Sequence, residues 1–124
     1  MIVEPTHEFK KALDAGRAQL FVRHWGADYP DASNFMELFH SKSGFDGMKW
    51  KNSAYDSWIE KARVASDASQ RLMDFNEAEK ILLQDEVVIF PLFYKQNSVI
   101  LGPRVGAFSL TPLNYLFFKD VQIK

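Results

Sequence analysis

The sequence predicts one unit of 124 residues with an α+β, or mixed α/β, fold. Two central stretches, 54–64 and 67–84, place apolar residues at the spacing of one helix face. Two other stretches, 18–25 and 86–94, are short apolar runs of the kind that form strands. Because helical and strand patterns do not alternate regularly, a doubly wound parallel sheet is not expected.

The first forty residues predict a helix, a strand and a second, short helix. Residues 5–16 are expected to form the first helix, with Gly16 where a helix would stop. The apolar residues of the strand at 18–25 do not alternate with polar ones, as expected when both faces are covered. Ser33 is expected to cap the short helix at 34–40.

The two central helices carry the clearest signals. Asn52 or Ser53 can cap the first, and Asp67 or Ser69 can cap the second. The residues expected to face inward are Tyr55, Trp58, Ile59 and Ala62 in the first helix and Leu72, Phe75, Ala78, Ile81 and Leu82 in the second.

The last third of the chain predicts further extended segments. Pro91 donates no ladder hydrogen bond, so the run at 86–94 must reach a sheet edge, a bulge or a strand end there. Residues 98–101 predict another strand before the Gly-Pro turn at 102–103, and 110–124 end in one more extended piece.

Composition excludes several classes of partner. Fifteen basic and sixteen acidic residues leave a formal charge of −1, which predicts no nucleic-acid partner. The sequence has no cysteine, so disulfides and thiolate metal sites are excluded. No stretch has the roughly 20 apolar residues of a membrane span, and the first residues do not resemble a secretory signal peptide. Taken alone, the chain is expected to stay where it is made.

No pattern of catalytic or metal-binding residues stands out. His7, His24 and His40 are far apart, so we expect isolated surface or boundary histidines rather than a zinc site. No Gly-x-Ser-x-Gly elbow is present. Asp28 and Asp31 stand three residues apart, where a cap or loop role is favoured over an acid–base pair. The sequence therefore predicts no enzyme, no cofactor and no metal.

The stretch WGADYPDASNF, from Trp25 to Phe35, resembles the W-x-A-D-Y-x-[DE]-P-x-x-F/L signature of the family 5 extracellular solute-binding proteins. These are the oligopeptide- and dipeptide-binding receptors of bacterial ABC importers. Ala32 stands where the second proline of the signature is common. Further positions similar to the family's motifs follow in the same order: Asn52, Tyr55, Asp56, Ile59, Ala62, Arg71, Phe75, Ala78, Glu79, Pro91 and the turn Val105-Gly106-Ala107.

The resemblance implies a C-terminal fragment of a two-lobed protein with a periplasmic-binding-protein type II-like fold. Residues 1–95 would belong to the ligand-binding lobe, and residues 96–124 would form a tail that returns to the other lobe. A complete relative would be exported to the periplasm or the cell surface. It would deliver an oligopeptide to the membrane permease subunits of the importer.

In this family the aspartate at the position of Asp28 is associated with the α-ammonium of a bound peptide. An extended peptide can add to a strand through backbone hydrogen bonds, which ignore side-chain identity. Gly26 would allow a close approach, and Trp25 would offer an apolar wall. The candidate ligand-binding residues are therefore Trp25, Gly26, Ala27, Asp28, His24 and Lys95.

Two departures from the family's pattern leave the ligand open. Oligopeptide-binding members have an arginine three residues before the tryptophan, where this chain has Val22 followed by Arg23. The family's tyrosine pair is altered to Phe93 and Tyr94, followed by Lys95. One alternative is a non-peptide ligand such as a nickel complex, an opine or a sugar. Another is that the isolated chain binds no peptide and self-associates through exposed strand edges.

Overall fold

Helices supply the regular structure of the described part of the chain. The structure, a computed structural model, describes residues 6–17, 20–45, 49–94, 96, 98–106, 108, 110, 111, 113, 115, 117–119 and 121–124. The helices are α1 (Thr6–Asp14), α2 (Ser33–Met36), α3 (Ser53–Val64) and α4 (Ala68–Lys80). A 3₁₀ turn (Glu37–Phe39) follows α2, and a π-helical turn (Ile81–Asp85) follows α4.

Both central helices begin at predicted caps. The side chain of Asn52 accepts a hydrogen bond from the backbone N–H of Tyr55 at 2.9 Å. The side chain of Asp67 accepts one from the backbone N–H of Gln70 at 2.7 Å. Each cap satisfies one of the free N–H groups at a helix start, and the prediction of both helices is confirmed.

The core lies between α3 and α4. The phenol of Tyr55, which is fully buried, donates a hydrogen bond to the backbone oxygen of Met36 at 2.6 Å and so ties α2 to this core. The core consists of Tyr55, Ile59, Ala62, Phe75, Ala78 and Leu82, with Trp58 and Ile81 partly buried against it.

The prediction of the inward face is wrong for one residue. Leu72 is 60% exposed, because it lies about a quarter of a turn from the stripe formed by Phe75, Ala78 and Leu82. Arg71 continues that stripe towards the start of α4, since it precedes Phe75 by four residues and Ala78 by seven. This places a guanidinium where the core meets the loop before α2.

The predicted strands do not form in the described residues. Residues 20–27 and 86–94 are outside helices but belong to no ladder, and so do residues 98–101. An extended segment becomes a strand only when a neighbouring segment takes its N–H and C=O groups. No described segment does so here, and the sheet part of the α+β prediction is therefore not observed.

Near the end of the chain, Val105 and Ile123 form an isolated antiparallel bridge. The N–H of Gly106 donates to the oxygen of Gln122 at 2.7 Å. A Cβ at Gly106 would lie 3.1 Å from that oxygen, so glycine permits the close approach. Ala107 of the predicted turn lies outside the described residues.

Candidate functional site

An open cleft of about 480 Å³ lies between the loop before α2 and the exposed side of α3. This volume is within the range of roughly 300–1,000 Å³ found for small-molecule sites. We call residues 25–31 the binding loop, after the role that the family resemblance implies for them. The cleft is lined by Trp25, Asp28, Tyr29, Ser33, Asn34, Glu37, Leu38, His40, Lys42, Ser43, Glu60 and Arg63.

The indole of Trp25 is held at the cleft wall from two sides. Its Nε1–H donates to Oδ1 of Asn34 at 2.8 Å, and Asn34 is itself buried. Its ring meets Phe45 edge to face, with 5.7 Å between the centroids. Because 42% of Trp25 stays exposed, the cleft has a fixed aromatic wall.

Asp28 lines the same cleft and is exposed. Within the described residues, no group donates a hydrogen bond to its carboxylate or pairs with its charge. A carboxylate can accept several hydrogen bonds. The acceptor positions of Asp28 are therefore open to solvent or to a ligand.

The carboxylate of Asp31, three residues further along, is hydrogen-bonded within the protein, unlike that of Asp28. Its two oxygens accept hydrogen bonds from Nη1 and Nη2 of Arg71 at 2.8 and 2.7 Å, which makes the pair bidentate. Its Oδ1 also accepts the backbone N–H of Ser33 at 2.8 Å. The prediction that Ser33 caps the short helix is wrong, because Ser33 is the first helical residue and Asp31 accepts its N–H.

Stability at acidic pH is expected to depend on Asp31. Hydrogen bonds from the Arg71 guanidinium, and then from Ser33, hold the pKa of Asp31 well below its usual range. A pKa lowered by folding stabilises the folded state above the unfolded value of about 4, and this stabilisation is lost as pH falls. At pH 7, Asp31→Asn should lower the free energy of unfolding by about 1 kcal/mol, a modest value because the pair is about a third exposed. Urea unfolding at several pH values should show the difference shrinking below about pH 4.

The control for this experiment is Glu79→Gln, since Glu79 is exposed on α4 and no described group pairs with it. This variant should track the wild-type protein throughout the pH range. A difference between Asp31→Asn and the wild-type protein that persists unchanged at low pH would contradict the assigned role of the carboxylate.

The opposite wall of the cleft is an ion network around Arg63. Its Nη1 lies 2.9 and 3.0 Å from the two carboxylate oxygens of Glu60, and its Nε donates to Glu37 at 3.3 Å. Nε2 of His40 lies 3.2 Å from Glu60, and Nδ1 of His40 accepts the N–H of Lys42 at 3.1 Å. His40 is 8% exposed, so its prediction as a surface or boundary residue is wrong; partners at both ring nitrogens permit the burial.

The charges of the cleft divide into paired and unpaired groups. Glu37 and Glu60 share Arg63. Asp28 and Lys42 line the cleft without a described ion pair. Among the described residues, the cleft therefore offers a ligand the carboxylate of Asp28 and the ammonium group of Lys42.

A scan against models of known protein families finds no match. Curated proteins do match over nearly the whole chain. The probable deoxycholate-binding periplasmic protein YgiS of Escherichia coli K12 is 34% identical over 123 residues, which are 96% of this chain and 23% of the relative. The periplasmic oligopeptide-binding protein OppA of Haemophilus influenzae is 30% identical over 120 residues, 94% of this chain and 22% of the relative. The chain belongs to the family of periplasmic oligopeptide- and dipeptide-binding proteins.

A third relative of this binding-protein family is the periplasmic murein peptide-binding protein MppA of Escherichia coli K12, 28% identical over 99 residues, 77% of this chain and 18% of the relative. The chain spans less than a quarter of the length of each of these relatives. These relatives are binding proteins, which agrees with the prediction of a protein that is not an enzyme.

Two of the six candidate ligand-binding residues line the cleft, namely Trp25 and Asp28. Gly26 and Ala27 connect them but do not line it, and His24 is exposed just before them. Lys95 lies outside the described residues.

The opposite wall of the cleft was not predicted from the sequence. Glu60 and Arg63 stand three residues apart on α3, a spacing at which opposite charges pair on a helix. That spacing was the available signal, but it does not show that the pair faces the binding loop. Glu37 and Lys42 carried no signal of their own in the sequence.

Neither a metal site nor a membrane span was found in the described part of the chain. No cluster of three or more histidine, cysteine, aspartate or glutamate side chains there could hold a metal ion. No described helix combines the length and the apolar character needed to cross a membrane.

Proposed function

We propose that this chain forms part of the substrate-binding component of an ABC-type importer and that its ligand is an oligopeptide with a free α-ammonium group. The observation that carries the proposal is the exposed carboxylate of Asp28, which lacks a described partner and lies beside Trp25 in the cleft. An ammonium group would pair with this carboxylate, and a peptide side chain would lie on the indole. A charge-assisted hydrogen bond of this kind contributes about 1.5–3 kcal/mol.

The backbone beside Asp28 supports recognition of an extended peptide. No described backbone group pairs with the N–H or C=O groups of residues 24–28. A Cβ at Gly26 would meet no atom within 4 Å, so another chain can approach this segment. Trp25, Gly26, Ala27 and Asp28 would then hold the ligand's main chain and its amino end, with His24 and Lys95 as further candidates.

A bile acid is the second candidate ligand, since the relative YgiS is named as a probable deoxycholate-binding protein. Deoxycholate carries a carboxylate and no ammonium. It would have a partner in Lys42 but would leave Asp28 unpaired, and burying an unpaired charge is costly. A free peptide carries both charges and suits both groups, so the charges of the cleft favour the peptide.

The proposal is tested by isothermal calorimetry on the full-length protein with three probes: trialanine, N-acetyl-trialanine and deoxycholate. Trialanine should bind at least about tenfold more tightly than its acetylated form, because acetylation converts the charged ammonium group into a neutral amide. Equal affinity for the two peptides would contradict the role of Asp28. Binding of deoxycholate alone would favour the second candidate.

The location and partners follow from the same proposal. The full-length protein would work in the periplasm or at the cell surface and would pass its ligand to the membrane permease subunits of the importer. Within it, residues 1–95 would belong to the ligand-binding lobe and residues 96–124 to the tail that returns to the other lobe. Nothing in the proposal requires a cofactor or a nucleic acid.

A further inference from the structure

We infer that Asp31 and Arg71 are a positioning pair, which fixes the binding loop on α4 so that Asp28 and Trp25 face the ligand together. The inference rests on the proposed function, since positioning has a purpose only if the cleft binds a ligand. It assigns Asp31 a role distinct from that of Asp28, although the two acids stand close in the sequence.

The binding loop is held to α2 at several points, among them the backbone N–H groups of Ser33 and Asn34, which donate to Asp31 at 2.8 and 3.1 Å. Its described residues form neither helix nor strand, and one backbone hydrogen bond, from Asp31 N–H to the oxygen of Tyr29 at 2.9 Å, closes within it. Trp25 and Tyr29 contact the nearby α2, through Asn34 at 2.8 Å and Ser33 at 3.2 Å. Among the described hydrogen bonds and ion pairs, only Asp31–Arg71 joins this loop to α4.

The α4 end of the pair is rigid. Arg71 stands four residues before the buried Phe75 on the same helix face, and its guanidinium lies over the Phe75 ring, 4.9 Å from the centroid. Phe75 packs in the core between α3 and α4. A guanidinium is planar and donates two parallel hydrogen bonds, so its orientation sets that of the carboxylate. The core of the helical pair thereby fixes Asp31.

The distance along the chain makes this attachment effective for Asp28. Three residues span at most about 11 Å even when fully extended, so a fixed Asp31 keeps Asp28 within that distance of its attachment to α4. Ordering a mobile loop on binding reduces affinity, and a loop that is already ordered avoids that cost. Loss of the pair should therefore weaken binding although neither residue touches the ligand.

The test compares Arg71→Gln with Lys61→Gln in the full-length protein. The control is matched, because Lys61 is also a cation over an aromatic ring, 3.8 Å from the Trp58 centroid, and has no described contact with the binding loop. We expect Arg71→Gln to weaken trialanine binding roughly tenfold and Lys61→Gln to leave it within about twofold. Equal effects of the two variants would overturn the inference.

A double-mutant cycle separates positioning from general stabilisation. If Arg71 positions Asp28, then Asp28→Asn should cost less affinity in the Arg71→Gln background than in the wild-type background. Fully additive effects would mean that the pair only stabilises the fold, and the inference would fail.

A readout without ligand separates this inference from the proposed function. The indole N–H signal of Trp25, assigned with Trp25→Phe, should shift and exchange faster with solvent in Arg71→Gln but not in Lys61→Gln. An unchanged signal would overturn the inference. If no peptide binds the wild-type protein, the proposed function fails, and the indole signal still decides whether the pair orders the loop.

Discussion

Ile59→Ala is expected to lower the free energy of unfolding by about 3 kcal/mol. Ile59 is 1% exposed and lies in the core between α3 and α4. Truncation removes its apolar surface from that core and leaves a cavity, and such substitutions cost about 2–5 kcal/mol. This is a large part of the roughly 5–15 kcal/mol by which proteins are stable. Urea unfolding followed by far-ultraviolet circular dichroism would measure the loss.

Val64→Ala is the matched control for this prediction. It also shortens a β-branched apolar residue of α3, but Val64 is 81% exposed and is not part of the core. The change in stability should stay within about 0.5 kcal/mol. Similar losses in the two variants would mean that α3 does not bury the face on which Ile59 lies.

Asp28→Asn is expected to weaken the binding of trialanine roughly ten- to a hundredfold in the full-length protein. The substitution keeps the shape of the side chain and removes its charge, so the loss reports the pairing with the ligand's ammonium group. A hydrogen bond to a charged group is worth about 1.5–3 kcal/mol, which corresponds to this range of affinity. Isothermal calorimetry gives the affinity directly.

Two comparisons make the result specific. N-acetyl-trialanine should bind the wild-type protein and Asp28→Asn equally weakly, since it has no ammonium to lose. Asp85→Asn removes the same charge from an exposed residue outside the cleft and should leave trialanine binding unchanged. An unaltered affinity of Asp28→Asn for trialanine would remove Asp28 from the binding site.

The central helices could be predicted because their signals are local. The caps Asn52 and Asp67 and the apolar spacing of Ile59 and Phe75 all act within a few residues, and the structure confirms them. Strands depend on partners that are distant in the sequence. The chain spans less than a quarter of its relatives' length, so the segments that would pair with 20–27 need not lie within it.

In the candidate site, too, contacts between residues distant in the sequence could not be predicted. The resemblance of residues 25–35 to a family signature singled out Trp25 and Asp28, and the structure brings both to one cleft. The contact between Asp31 and Arg71 joins residues that are 40 positions apart. Neither composition nor spacing encodes such a contact, because it arises only when the loop before α2 packs against α4.

The exposed apolar rings of the segment at 86–94 have a consequence for preparing this chain by itself. Phe90 is 77% exposed, Phe93 is 80% exposed and Tyr94 is fully exposed, and the backbone beside them has no ladder partner among the described residues. Exposed apolar rings beside backbone groups that are free to pair favour self-association of the isolated chain along this segment. Charged residues introduced beside the rings would reduce this self-association. Co-production with the rest of the protein would reduce it as well.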